Sequence, residues 1–314
     1  MFDFVIGNDD FGKNLAKALN CEYREFKEEY YPDGEPCPRI MAEYEEIKGK
    51  RVILSPRITQ KSTKEKVALY LHNSERILGA LTSEELYNAD YVDVLFPYFW
   101  LGRQDHNPKT DNSEELRIRD RGKDIGYKTI LRTFRGLGAR RIITVDPHFF
   151  RQEGSTMICD MEIVSISGIY ALGRYLKNRV NDNTVILSPD LRGGVLSDKL
   201  ADQLGLKSES LAKKRISESK AESKEIYNAN GANVVIMDDI ISTAGTLKNV
   251  IDNLYNACSV TVACVHAILP EIGYNRLIEL KRAGKINDII ATDTINSDFT
   301  KTSIVPEIVK ALQI

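Results

Sequence analysis

Along the chain, apolar residues gather into short, nearly unbroken runs separated by turn residues and longer mixed stretches. The runs at 51–54, 91–96, 141–145, 184–187, 234–237 and 260–265 are built mainly of Val, Ile and Leu. Continuous apolar character over this length marks strands buried on both faces, whereas a half-exposed strand alternates. Between them, apolar positions return at helical spacing over 11–19, 63–81, 129–137, 166–176, 247–255 and 274–283. Strand and helix in alternation predict βαβ units, hence mostly parallel sheets flanked by helices. The opening segment, 1–6, is also strand-like.

Three stretches break the pattern. Residues 83–85 and 107–124 are polar and charged, and are expected as loop or exposed helix. Residues 206–233 are rich in Lys, Ser and Glu and too poor in apolar surface for a core, so a mobile surface excursion is expected there. At 314 residues the chain suits two domains of ordinary size. Two runs of strand–helix alternation of similar length set the boundary near Gly154, giving 1–154 and 155–314. Any internal repeat is too faint in the side chains to establish.

Composition narrows the function classes. Hydrophobic content of 42% with 28% charged residues describes a soluble globular chain. A net charge of −2 supplies no general pull toward nucleic acid, so phosphate recognition has to be local and geometric. No run is apolar enough to span a bilayer, and 1–6 lacks the basic start and long apolar region of a signal peptide. A cytoplasmic location with no nucleic-acid or membrane partner is expected. The five cysteines form no C-x-x-C pair and read as reduced, small apolar fillers.

Candidate chemistry collects behind four of the strands. Phe96 leads into Pro97, Tyr98 and the string Gly102, Arg103, Gln104, Asp105; Val145 leads into Asp146, Pro147 and His148. Leu187 leads into Ser188, Pro189, Asp190, Leu191, Arg192, Gly193 and Gly194. Met237 leads into Asp238 and Asp239, then Ser242, Thr243, Ala244, Gly245 and Thr246. Ligands of open parallel sheets bind at the carboxyl ends of strands, so these groups converge on a cleft. In the last string an apolar strand delivers two carboxylates, and a small-residue turn opens a helix. Such a turn offers backbone N–H groups and hydroxyls to a phosphate, while the carboxylates can accept hydrogen bonds from ribose hydroxyls. One ligand meets both requirements: a ribose 5-phosphate unit.

This string resembles the ribose-phosphate binding motif of phosphoribosyltransferases and of ribose-phosphate pyrophosphokinases (PRPP synthases). The rest of the chain separates the two. Tyr31, Asp33, Gly34 and Glu35 resemble the Phe-x-Asp-Gly-Glu segment of PRPP synthases, with Tyr in place of Phe. Pro97–Tyr98 followed by Arg103, Gln104 and Asp105 is similar to their Pro-Tyr…Ala-Arg-Gln-Asp segment. Asp146, Pro147, His148 resemble Asp-Leu-His; Ser188, Pro189, Asp190 with the glycine pair resemble Ser-Pro-Asp-x-Gly-Gly. Lys213, Lys214 and Arg215 stand where the family has Lys-x-Arg on a flexible catalytic loop, and Thr292, Asp293, Thr294 match its final strand. The matches span residues 31 to 295, in order, nearly the whole chain.

The resemblance implies two tandem phosphoribosyltransferase-like α/β domains: a PRPP-synthase-like one at 1–154 and a phosphoribosyltransferase-like one at 155–314. It implies a magnesium-dependent enzyme that moves the β,γ-diphosphoryl group of ATP to the 1-hydroxyl of ribose 5-phosphate. Lys213 and Arg215 would be catalytic; Tyr31, Asp33, Glu35, Arg103 and Gln104 would bind ATP; His148 and Asp190 would lie at the Mg2+ site. Asp238, Asp239, Ser242, Thr243, Ala244, Gly245 and Thr246 would bind the ribose phosphate. Tyr31, Asp33 and Glu35 would reach in from a neighbouring subunit, implying a homo-oligomer. The chain departs from the family in longer segments on either side of Arg103, in the polar stretch 109–124, and in an additional residue that puts Arg192 before the glycine pair. These leave open a larger acceptor such as ADP-ribose, a non-catalytic regulatory paralogue, and a phosphoribosyltransferase.

Overall fold

All six apolar runs are strands, each buried along nearly its whole length. The structure, a computed structural model, describes residues 1–58, 64–107, 109–110, 113–189, 191–211 and 227–313. In chain order the first unit holds β1 (Phe4–Gly7), α1 (Asp10–Leu19), β2 (Glu22–Lys27), β3 (Arg39–Ile40), α2 (Tyr44–Ile47), β4 (Arg51–Ser55) and α3 (Lys64–Thr82). It continues with β5 (Tyr91–Phe96), α4 (Glu114–Arg119), α5 (Gly126–Gly136), β6 (Ala139–Val145), β7 (Gly154–Ile158) and β8 (Met161–Ile166). Its eight-stranded sheet has the order β3-β2-β1-β4-β5-β6-β8-β7, parallel except at its two ends, where β3 joins β2 and β7 joins β8 antiparallel.

The second unit holds α6 (Ile169–Leu176), β9 (Thr184–Ser188), α7 (Leu191–Leu204), β10 (Lys207–Ser210), β11 (Tyr227–Asn228) and β12 (Asn233–Ile241). There follow α8 (Gly245–Asp252), β13 (Leu254–Tyr255), β14 (Ser259–Ala267), α9 (Glu271–Arg282), β15 (Asp288–Thr292) and β16 (Thr300–Thr302). Its six-stranded sheet, β10-β9-β12-β14-β15-β16, is parallel throughout, and β11 and β13 form a separate parallel pair. The last helix, α10 (Val305–Leu312), belongs to the first unit and packs beside α1.

Both sheets follow one plan. The first strand (β1 or β9) passes through a helix to a neighbour on one side (β2 or β10). The chain then crosses to its other side (β4 or β12) and builds outward. The order reverses between β1 and β4, and again between β9 and β12. At such a switch point the loops leaving the carboxyl ends diverge and open a crevice. The repeat that side chains hide is plain in the topology.

Each unit has its own core. Phe4, Ile6, Leu54, Val94, Phe96, Phe134 and Ile142 pack together in the first, and Ile236, Leu247, Val262, Leu277 and Ile289 in the second.

The boundary lies later than the expected Gly154. β7 and β8 form a hairpin, and β8 pairs in parallel with β6 from Arg141 to Val145, so the first sheet's hydrogen bonding runs past Gly154. The first unit ends at Ser167 and regains the chain at Val305; the second spans Gly168–Ile304. The expected excursion at 206–233 also needs correcting at both ends. Lys207–Ser210 is an edge strand on β9, and Tyr227, Ala229 and Ala232 are buried. Its middle, 212–226, lies outside the described residues. Among the described residues no helix is long and apolar enough to cross a membrane.

Candidate functional site

β12 does not stop at Met237. It continues through Asp238 and Asp239 to Ile241, paired along β14, so the acidic pair lies within the last turns of a central strand rather than beyond it. Asp239 is only 6% exposed and Asp238 is half-buried. The Asp239 N–H donates to Asp238 Oδ1 at 2.9 Å, and the Ile240 N–H donates to Asp239 Oδ1 at 2.8 Å. Asp238 stands opposite Cys264 of β14 in register. Burial first, then the charges of Asp238 and Asp239, push the Cys264 thiol up, so this cysteine is an inert filler under a negative field.

Past Ile241 the chain turns through Ser242 and Thr243 to Ala244, whose backbone is left-handed (φ 54°, ψ 24°), and enters α8. Helix starts are ordinarily capped by a Ser, Thr, Asp or Asn oxygen. Two such residues precede this helix, yet no side chain caps it. Its first-turn N–H groups and the positive end of its dipole are left for an anion. Leu247, Val250 and Ile251 hold α8 in the core while Gly245 and Thr246 are exposed, so the uncapped end faces outward.

The loop is braced from α9. A Cβ placed on Gly273 would lie 1.9 Å from the Ser242 carbonyl oxygen, so this contact requires glycine. One turn further along α9, the Arg276 guanidinium donates from Nη1 to the carbonyl of Thr243. A Cβ on Gly245 would be 3.5 Å from that same nitrogen. Sequence reading missed both Gly273 and Arg276. They sit about thirty residues downstream of the loop in an ordinary amphipathic helix, and nothing local marks them.

The switch point of the first unit gives a contrast within its own sheet. Asp9, just after β1, caps α1 by accepting the Gly12 N–H at 3.2 Å, and pairs with Arg57, just after β4, at 2.8 Å. The Arg57 guanidinium lies 4.5 Å from the centre of the Phe11 ring, and its backbone exchanges hydrogen bonds with the Asn8 amide. There the helix start is satisfied by its own cap and the switch point is filled by an ion pair. The start of α8 carries no such side-chain cap.

The other expected residues fall into separate places. Tyr31, Asp33 and Glu35 occupy a tight turn after β2: the Tyr31 N–H donates to Glu35 O, the Gly34 N–H to Tyr31 O, and the Glu35 N–H to Asp33 Oδ1 at 3.0 Å. Tyr31 is 55% exposed. Arg103 and Gln104 are exposed and follow β5, where Phe99 and Trp100 bury the base of the loop and the Gln104 side chain lies against Gly126. His148 is half-buried in the turn after β6. Between the β2 turn and the β5 loop lie β1 and β4, three strand steps or roughly 14 Å of sheet. Asp190, Lys213 and Arg215 lie outside the described residues, as does the side chain of Arg192. Thr292 and Thr294 serve architecture: both hydroxyls donate to the Val265 carbonyl, and Thr294 Oγ1 meets His266 Nδ1 at 2.9 Å. Among the described residues no group of three or more His, Cys, Asp or Glu side chains is placed to hold a metal ion.

Comparison with known proteins adds to this picture. Residues 165–295 match the family model described as a phosphoribosyl transferase domain. The chain is similar to a ribose-phosphate pyrophosphokinase of Methanopyrus kandleri, at 28% identity over 96% of this chain and 94% of the other. It is 30% identical to ribose-phosphate pyrophosphokinase 1 of Archaeoglobus fulgidus over 90% of this chain and 89% of that one. In three dimensions it resembles the phosphoribosylpyrophosphate synthetase of Mycobacterium smegmatis, with a TM-score of 0.75, 19% identity, and coverage of 99% of this chain and 98% of that chain. At that identity the last likeness is one of fold.

Proposed function

The chain belongs to the ribose-phosphate pyrophosphokinase family, and from that membership we propose that it transfers the β,γ-diphosphoryl group of ATP to ribose 5-phosphate. The 1-hydroxyl oxygen attacks the β-phosphorus, the bond from that phosphorus to the α,β-bridging oxygen breaks, and AMP leaves. The products are PRPP and AMP. The observation that carries the reading is the uncapped start of α8 beside Asp238 and Asp239 at the switch point of the second sheet. The open N–H groups suit the 5-phosphate, and the carboxylates suit the ribose hydroxyls. An enzyme of this class contributes positioning and charge neutralisation more than covalent chemistry.

Arg103 and Gln104 would hold ATP, and Lys213 and Arg215 would meet the charge growing on the transferred group. Tyr31, Asp33 and Glu35 would serve the site of a neighbouring subunit, which makes the working form a homo-oligomer. The ~14 Å of sheet separating that turn from the Arg103 loop within one chain supports this division of labour. Magnesium fits the donor set as a partner of ATP. Such ions are held through one or two protein groups, with phosphate oxygens and water completing the shell, and do not need a three-ligand cage. Asp190 would supply the hard oxygen and His148 would stand beside it; the ion's chemistry there is neutralisation of phosphate charge.

Phosphorus NMR of the protein with Mg2+ and ATP, offering ribose 5-phosphate and ADP-ribose separately, tests the reading. AMP with a new pyrophosphate ester on ribose 5-phosphate alone is the expected result. AMP with ADP-ribose alone, or with neither, overturns the assignment.

A further inference from the structure

Building on the phosphate-cradle reading of α8, we propose that Arg276 is a positioning residue for ribose 5-phosphate. It acts by turning the peptide units of the 242–244 loop so that their N–H groups face the ligand.

The argument is one of peptide geometry. In a trans peptide the carbonyl of one residue and the N–H of the next point in opposite directions across a rigid plane. The backbone is trans throughout the described residues. Arg276 takes the Thr243 carbonyl by a charge-assisted hydrogen bond, and this aims the Ala244 N–H away from α9. The preceding carbonyl, that of Ser242, is pressed against Gly273, which aims the Thr243 N–H the same way. Two consecutive acceptors are thereby withdrawn from the cradle and two donors presented to it. A carbonyl left pointing into an anion site is repulsive, so the gain is double. The left-handed backbone at Ala244 is the local cost of this arrangement, and such outliers persist only where the surroundings impose them. The surroundings here are one turn of α9. The Arg276 charge also stands at the edge of the first turn of α8, beside Gly245, where it adds to the helix dipole.

The role separates binding of one substrate from the other. Arg276 acts on the loop that takes ribose 5-phosphate, so its loss raises that substrate's KM and leaves that of ATP alone. A residue that merely stabilises the fold moves both or neither.

The test is calorimetric titration with ribose 5-phosphate and steady-state kinetics on wild type, Arg276→Leu, Arg276→Lys and Thr246→Val, with circular dichroism on each. Arg276→Leu should weaken ribose 5-phosphate binding by about tenfold, the scale of one charge-assisted hydrogen bond, with the KM for ATP unchanged. Arg276→Lys, which keeps a charged donor, should recover part of the loss. If the leucine variant does not fold, Arg276→Gln against Arg276→Lys carries the same comparison. Wild-type affinity in the Arg276 variants with weakened binding in Thr246→Val removes Arg276 and leaves the cradle standing. Undiminished affinity in all of them removes the cradle itself.

Discussion

Gly273 presses its Cα against the carbonyl oxygen of Ser242, and a methyl group built there would lie 1.9 Å from that oxygen. Neither partner can yield cheaply, since one is helix backbone and the other is the backbone of the loop that leads into α8. Gly273→Ala should therefore force the loop off α9. Overpacking of this kind costs about 1–3 kcal/mol. A lower denaturation midpoint together with a raised KM for ribose 5-phosphate is expected, read by urea melts and steady-state assays. A variant with wild-type values of both would show that the loop has room to move.

The contrast between Gly273 and the apolar runs explains what could be read in advance. Central strands announce themselves because burial on both faces leaves no polar position, as in Val52–Leu54 and Val234–Met237. Edge strands do not. β2 buries Phe26 alone, and β10, with the sequence Lys-Ser-Glu-Ser, looks like a solvated excursion, because backbone hydrogen bonding to a neighbour has no side-chain signature. The 238–246 string stood out because its chemistry is local: carboxylates, hydroxyls and a glycine in one string. The burial of Asp239 did not, since it depends on β14 continuing alongside. Arg276 and Gly273 were out of reach for the same reason, as their meaning comes from a partner distant in sequence.

Tyr31 separates ligand binding from folding. Its ring is 55% exposed, and the turn is closed by hydrogen bonds from the backbone and Asp33. Tyr31→Ala should leave the melting temperature within a degree or so, as exposed substitutions usually do. The KM for ATP should rise about tenfold, in keeping with loss of an aromatic stack on a base. Tyr31→Phe should match wild type in both measurements.

The role proposed for Lys213 concerns turnover. If it meets charge that develops on the transferred group, Lys213→Ala should lower kcat at least ~100-fold with the KM for ATP little changed. Rapid-quench measurement of AMP formation in a single turnover checks that the chemical step is the one affected. Normal single-turnover rates would remove Lys213 from the reaction.

Asp93 bears on stability, since it ties two neighbouring strands together. It is fully buried on β5 and accepts three hydrogen bonds from β6: from Arg140 Nε and Nη2 at 2.7 and 2.6 Å, and from Arg141 Nε at 2.8 Å. The Arg140 guanidinium also lies 3.8 Å from the centre of the Tyr91 ring. Removing the carboxylate leaves two cations without their acceptor, but Arg140 is partly exposed and can turn to water. Asp93→Ala should thus cost about 3 kcal/mol, the lower end for breaking a buried pair. Urea unfolding measures it, and kcat at low temperature should be unchanged.

Asp3 gives the chain a defined acid limb. The Arg51 guanidinium grips its carboxylate through Nε at 3.0 Å and Nη2 at 3.2 Å, while the Arg51 backbone N–H donates at 2.9 Å. These bonds, led by the guanidinium, lower its pKa from 3.8 to about 2. The unfolded chain then binds the proton more readily than the folded one, so the pair's contribution is complete above the unfolded pKa. It is lost as pH falls from near 4 toward 2. Asp120 and Asp252 are shifted in the same direction by their own lysine and arginine partners, so total acid stability cannot isolate this pair. The comparison that does so is wild type against Asp3→Asn, melted at a series of pH values. The gap between them should be constant above pH ~4.5 and close progressively below it, because protonated aspartic acid and asparagine are alike in lacking the charge Arg51 prefers. A gap that stays constant down to pH ~2 would place the stabilisation in the shape of the contact rather than in its charge.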